Sequence, residues 1–382
     1  MSNRIFNKHK LCILSAALIC SISMIAQQAI PGLSPGGYPK VNDDKTVTFM
    51  LNAPNAKEVS LMLGSSMERK ALTKDDKGIW TITVGPLQPE LYTYGILVDG
   101  LRIVDPLNPE FQGGTAPGFN LLEVPGNPPR FDQLQDVSHG AVDIRTYYST
   151  VQKVFHKVYI YLPPEYDQAK DEKFPVLYLR HGGGGNETSW YNEGRAGVIM
   201  DNLLAQKKVQ PMIIVMTNGN VETGVAGGYN AEAMEIVAGE LFKDVIPLVE
   251  KNYRVIADQQ HRAIAGLSMG GGQSFYIGLH YVDQFDWLGV FSTGLFGGIP
   301  GADFNPEQYV PGLISNTTKF NNDLDLFYIT VGEQDPRIEY TGKLIDTFKE
   351  SKLDVIYKTY PGVHEWLVWR KSLYDFLPLI FN

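Results

Sequence analysis

Residues Gly266-Leu267-Ser268-Met269-Gly270 constrain this chain more than any other feature. They fit the pattern G-x-S-x-G, and their flanks matter as much as the motif. Arg262-Ala263-Ile264-Ala265 is a short apolar run of the kind buried in a parallel sheet. Gln273 to Leu279 reads as the start of a helix. The spacing therefore predicts strand, sharp turn and helix, a unit that lifts a serine hydroxyl out at the end of a sheet. Such a turn strains the serine backbone and leaves no room for neighbouring side chains. Gly266, Gly270, Gly271 and Gly272 supply that room.

A serine raised in this way needs a base and an acid, expected in the chain order Ser, Asp or Glu, His. His364 lies in Tyr360-Pro361-Gly362-Val363-His364-Glu365-Trp366, between a strand-like run at 354–360 and a closing helix at 367–379. A loop after the last strand is where a general base belongs, so His364 is the expected base. Leu324 to Val331 is a strong strand ending in Gly332-Glu333-Gln334-Asp335-Pro336. Asp335 is the expected acid, with Glu333 its neighbouring alternative. The other histidines have quieter settings. His261 and His280 flank the nucleophile strand and helix as structural groups, and His139 and His156 carry no assigned role. His364-Glu365 lacks the second histidine that H-E-x-x-H needs, since position 368 is Val368. Neither a metal nor a cofactor is expected.

Attack on a carbonyl also requires donors for the oxyanion that forms. The backbone N–H of Met269, just after the serine, is one expected donor. Phe174 to Arg180 reads as a strand, and His181-Gly182-Gly183-Gly184-Gly185 follows it. Consecutive glycines let N–H groups face a site without side chains in the way. Gly183 is the expected second donor and Gly182 the alternative. No Lys-Ser/Thr follows the glycines, which argues against a phosphate-binding loop.

Composition bounds the setting. Arg4, Lys8 and Lys10 precede an apolar stretch from Leu11 to Ala26, and residues 1–26 read as a secretory signal peptide. The expected location is secreted or periplasmic, with no membrane span once that segment is removed. Cys12 and Cys20 both fall inside it, so the exported chain would hold no disulfide and rely on core burial. The net charge of −9 argues against nucleic acid and anionic lipid as partners.

Two patterns divide the remainder. Over 27–125, alternating runs at 46–51, 58–63, 80–84 and 92–98 are punctuated by Asp76-Lys77-Gly78 and Asp99-Gly100. They predict an immunoglobulin-like β-sandwich. Pro125-Gly126-Asn127-Pro128-Pro129 marks a composition break, and 126–134 reads as a linker. Over 135–382, strands at 141–151, 154–162 and 212–216 and a helix over 232–251 continue a β/α alternation. The expected fold class is α/β, a mostly parallel sheet covered by helices and preceded by a sandwich.

From about residue 140 onward the chain resembles the esterase D-like group of α/β-hydrolases. Tyr253-Arg254-Val255-Ile256, the nucleophile block, His181-Gly182, Gly332-x-x-Asp335 and His364-x-Trp366 carry that likeness. The group includes feruloyl esterases of carbohydrate esterase family one and siderophore esterases. The front part is similar to sandwich modules that precede glycogen-branching-type enzymes, through Ala53-Pro54, Tyr92-Thr93-Tyr94 and Asp105-Pro106-Leu107-Asn108-Pro109. The pairing resembles secreted feruloyl esterases that act on plant xylan. It implies a serine carboxylic ester hydrolase releasing hydroxycinnamates from feruloylated polysaccharide. Trp190, Tyr191, Tyr229 and Trp366 are then candidates to flank an aromatic acyl group. Acetylxylan or siderophore esters, acyl transfer to a sugar, and non-catalytic glycan binding stay open.

Overall fold

The computed structural model describes residues 39–66, 68–115, 118–222, 230–297 and 304–382. Residues 1–26, read as a signal peptide, lie outside the described residues, as does Tyr229.

Alternation in the front part produces β1 (Lys40–Val41), β2 (Val47–Asn52), β3 (Val59–Leu63), β4 (Arg69–Ala71), β5 (Thr73–Lys74), β6 (Ile79–Val84), β7 (Glu90–Val98), β8 (Leu101–Ile103) and β9 (Asn120–Val124). One antiparallel sheet has the order β1-β2-β6-β5 and the other β4-β3-β7-β8, with β9 also pairing β7. Val47, Phe49 and Leu51 point inward from β2 while the residues between them are more exposed. They share a core with Leu61, Tyr94, Ile96 and Val124 of the other sheet. Phe49 meets Tyr94 edge-on with ring centres 4.9 Å apart. The two sheets therefore face each other across one apolar layer.

The second part is a sheet of β10 (Ala141–Tyr148), β11 (Phe155–Leu162), β12 (Val176–Arg180), β13 (Ile213–Thr217), β14 (Arg262–Leu267), β15 (Trp287–Phe291), β16 (Leu326–Gly332) and β17 (Ile356–Tyr360). Its order is β10-β11-β13-β12-β14-β15-β16-β17. The β10–β11 and β11–β13 pairs are antiparallel, and the rest are parallel. The covering helices are α1 (Ser189–Asn192), α2 (Ala196–Ala205), α3 (Ala231–Glu240), α4 (Ile246–Asn252), α5 (Met269–His280), α6 (Pro306–Tyr309), α7 (Thr317–Asp323), α8 (Ile338–Glu350) and α9 (Trp366–Phe376). Strands β12, β14, β15 and β16 are buried along their whole lengths, as central parallel strands with covered faces must be.

Three features depart from the sequence reading. The helix expected over 232–251 is interrupted by a π-helical turn, Leu241–Val245, just before Pro247. Proline lacks the N–H that the ladder would need there. Strand β15 and helices α1, α2, α6, α7 and α8 have no counterpart among the runs named from sequence. The stretch 126–134 is a fixed strap rather than a free tether. Asn202 donates to the Phe131 and Gln133 carbonyls at 2.9 Å each. Asp132 is buried between Arg130 at 2.9 Å and Arg370 at 2.6 Å. Residues Pro39–Asn382 accordingly form one compact unit.

Candidate active site

Sheet order brings the motif loops together. The chain winds outward from β12 to β13 and then returns to β14 on the other side, which opens a crevice at the strand ends. Arg180 and Gly266 are register partners in β12 and β14, so the glycine loop after one strand lies beside the serine turn after the other. Gly332 and Tyr360 are partners in β16 and β17, so the acid and base loops are also neighbours. Those two loops are tied by Gln334 N–H to the Gly362 carbonyl at 3.0 Å and Gly362 N–H to Gln334 Oε1 at 2.6 Å.

Ser268 sits between β14 and α5 with φ 50° and ψ −115°. A non-glycine residue held there stores about 1–3 kcal/mol of strain. Its N–H donates to the Phe291 carbonyl of β15 at 2.7 Å, which anchors the turn. Room for the turn comes from Gly270, where a Cβ would meet the carbonyls of His181 and Arg180.

Ser268 Oγ lies 2.9 Å from His364 Nε2, and His364 Nδ1 lies 2.7 Å from Asp335 Oδ2. A carboxylate can only accept, so Nδ1 carries the proton and Nε2 is free to accept from the serine hydroxyl. Asp335 is 1% exposed and also accepts from Arg337 N–H and Arg337 Nη1, both at 3.0 Å. Burial pushes the Asp335 carboxyl up, but the hydrogen bonds from His364 and Arg337 outweigh it and hold the carboxyl below its usual range. Glu333 is exposed and outside this relay. The His364 ring packs edge-on against Trp369 at 4.9 Å.

On the other side of Ser268, Gly185 N–H closes a turn onto the Gly182 carbonyl at 3.1 Å, with Gly184 at φ +75°. Gly183 lies exposed in this turn, with open space where a side chain would be. The Met269 N–H starts α5 and has no acceptor within the helix. His181 sits behind the loop. It donates through Nδ1 to the Gly182 carbonyl at 2.8 Å, and its Nε2 accepts from Gly219 N–H at 2.9 Å. Burial pushes its pKa down to about 4, so it stays neutral and keeps both bonds.

Ser268 and His364 open into a cavity of about 840 Å³. The glycine loop, Glu193, Trp366, Trp369 and Arg370 line one side. The front part supplies further lining: residues 63–66, 88–93, 112–113 and Phe119. Of the aromatic candidates, Trp366 lines the cavity. Trp190 does not: it is 1% exposed, donates to the Arg180 carbonyl at 2.9 Å, and packs edge-on against Trp366 at 5.3 Å. Its indole props the wall from behind. Tyr191 is 48% exposed and packs on Tyr159, also outside the lining. Neighbouring positions on a helix turn point in different directions, and α1 turns both rings away from the cavity. Trp369, Glu193 and Arg370 escaped the sequence reading. Helical spacing puts Trp366, Trp369 and Arg370 on one face of α9, a signal that was legible. Among the described residues no cluster of His, Cys, Asp or Glu is placed to hold a metal ion.

A model of the family described as "Putative esterase" matches residues 153–380. The chain is 33% identical over 358 residues to an endo-1,4-beta-xylanase/feruloyl esterase of Xylanibacter ruminicola, covering 90% of this chain and 46% of that protein. It thus spans less than half of that relative's length. A solved ferulic acid esterase is similar in structure, with a TM-score of 0.54 and 27% identity over 63% of this chain and 97% of that one. The enterobactin esterase of Shigella flexneri shares the fold across 87% of this chain and 92% of its own, with a TM-score of 0.63 at 17% identity.

Proposed function

The chain belongs to the "Putative esterase" family, α/β-hydrolases, and from that premise we propose that it is a secreted serine carboxylesterase acting on feruloylated plant polysaccharide. The observation that carries the reading is the unbroken hydrogen-bond relay Ser268–His364–Asp335 opening into an aromatic-walled cavity. The Xylanibacter relative supports the choice of acyl group. A cavity of about 840 Å³ is within the range that takes a substrate of this kind.

The reaction follows from the geometry. Ser268 Oγ attacks the ester carbonyl as its proton passes to His364 Nε2. Asp335 stabilises the imidazolium without taking the proton. The carbonyl oxygen gains the negative charge, and the N–H groups of Met269 and Gly183 receive it. The C–O bond to the sugar then breaks, and His364 gives its proton to the leaving alcohol. Water, deprotonated by the same imidazole, attacks the acyl-enzyme; the acyl C–Oγ bond breaks, the imidazolium returns its proton to Ser268, and the hydroxycinnamate leaves. Trp366 and Trp369 supply flat apolar surface for the aromatic acyl group.

Methyl ferulate, acetylated xylan and a siderophore lactone assayed side by side test the substrate. Methyl ferulate is expected to be turned over fastest, and Ser268→Ala to abolish turnover while the fold persists. Preference for either other ester would replace the acyl assignment, and an unchanged rate in Ser268→Ala would refute the nucleophile.

A further inference from the structure

The front part does more than face the cavity. After β8 the chain runs through Asp105-Pro106-Leu107-Asn108-Pro109 to a tip at 112–115 and returns in β9. Buried polar groups fix its base. Tyr94 donates to Asp105 Oδ2 at 2.7 Å, and Asn108 Nδ2 donates to the Leu121 carbonyl at 2.7 Å. Asn120 Oδ1 accepts from Asp105 N–H at 2.7 Å, and Asn120 Nδ2 donates to the Asn108 carbonyl at 2.9 Å. Four side chains nine-tenths or more buried thus hold the loop, and buried groups satisfied in this way rigidify what they bind.

The tip lands on the glycine loop of the hydrolase part. Thr115 N–H and Thr115 Oγ1 both donate to the Gly184 carbonyl, at 3.1 and 3.2 Å. Gly113 N–H donates to Glu193 Oε2 at 3.1 Å. Contact is close enough that a Cβ on Gly114 would sit 2.6 Å from the Gly184 oxygen. Gly184 is the left-handed residue of the Gly182–Gly185 turn, one position from Gly183. Four consecutive glycines cannot hold one conformation by themselves, because glycine loses the most backbone freedom on ordering. Among the described residues, the donors to the Gly184 carbonyl come from the front part.

We infer that the 112–115 tip is a clamp that sets the conformation of the oxyanion loop, so that the front part supports turnover itself, a role distinct from polysaccharide capture. Thr115 and Gly114 are positioning residues that act through the Gly183 N–H, and Gly113 seats the tip on Glu193. This rests on the esterase reading above and deepens it.

The two roles separate on a small ester. A capture module is irrelevant to methyl ferulate, whereas a clamp governs every substrate. Gly114→Ala places a methyl group against the Gly184 oxygen at φ +119°, and Thr115→Pro removes the backbone donor and the hydroxyl. Thr115→Ser keeps both donors. Removing an oxyanion donor outright costs about 10²–10³ in kcat, and misplacing one is expected to cost about tenfold or more. With methyl ferulate, kcat should fall by that factor in Gly114→Ala and Thr115→Pro, with KM within about twofold and Thr115→Ser like wild type. The rate of Ser268 phosphonylation by a fluorophosphonate should fall in parallel, since its P–O group uses the same donors. Should Gly114→Ala or Thr115→Pro not fold, Thr115→Val removes the hydroxyl bond alone and should lower kcat to a smaller extent. Folded variants with wild-type kcat and phosphonylation rate would overturn the clamp. Absence of turnover in the wild type would instead defeat the esterase reading, so the two failures are distinct.

Discussion

Asp335 shows how the site is tuned residue by residue. Arg337 occupies one carboxylate oxygen and leaves the other to His364. The carboxylate fixes which imidazole nitrogen carries the proton, and an amide would not. Asp335→Asn should therefore keep the fold and lower kcat with methyl ferulate by about 10⁴-fold, because the amide favours the wrong tautomer. A loss below tenfold would remove Asp335 from the mechanism. Much at this scale was legible in the sequence. Ser268, Asp335 and His364 each follow a strand-like run within a few residues, and strand ends on one side of a parallel sheet must converge. The aromatic candidates were less legible. Trp190 and Tyr191 adjoin the glycine loop in sequence, yet the orientation of α1 decides which way they face, and that depends on tertiary packing.

At the scale of elements, α9 is the piece on which most depends. It follows His364, carries Trp366 and Trp369 into the cavity, and holds Arg370 in the interior. Arg370 Nη1 donates to the Glu193 carbonyl at 2.8 Å, Nη2 donates to Glu90, and Nε lies 2.6 Å from Asp132, an ion pair by distance rather than a well-directed hydrogen bond. One guanidinium thus joins α9 to α1, β7 and the strap at 126–134. Arg370→Ala would take the buried guanidinium from Asp132, Glu90 and the Glu193 carbonyl, leaving Arg130 as the cation beside both carboxylates, a change that costs about 2–3 kcal/mol. Urea unfolding should show that loss, and a variant within about 1 kcal/mol of wild type would contradict the account. The strap illustrates a limit of pattern reading. Its prolines and glycine mark a break in composition, but whether such a segment swings or docks is set by Arg370, some 240 residues later. Strand β15 was missed for a related reason: Trp287-Leu288-Gly289-Val290-Phe291 is short, holds a glycine, and stands out only once its neighbours β14 and β16 are in place.

For the whole molecule, two parts that look separable in sequence share one cavity. Their contact includes Glu193, 1% exposed, whose carboxyl is pushed up to about 7 by burial, against the opposing hydrogen bonds of Gly113 N–H and Gln112. The folded pKa lies above the ordinary value of 4.5, so the folded state holds the proton more tightly. Stability contributed by this group is full below about 4.5 and is lost as pH rises through about 7. Glu193→Gln keeps an acceptor and removes the titration. Its stability relative to wild type should rise between pH 5 and 8, by up to about 3 kcal/mol at 1.36 kcal/mol per pKa unit. A difference independent of pH would show that Glu193 does not titrate in this interval.

The central claim is that Ser268 is made nucleophilic by His364, and covalent trapping tests it most directly. Treated with a fluorophosphonate, the wild-type protein should take up one phosphonyl group, and peptide mass spectrometry should locate it on Ser268. In His364→Ala the labelling rate should fall by about 10³-fold or more, since the proton acceptor is gone. An adduct on another residue, or equal labelling rates in the two proteins, would contradict the account.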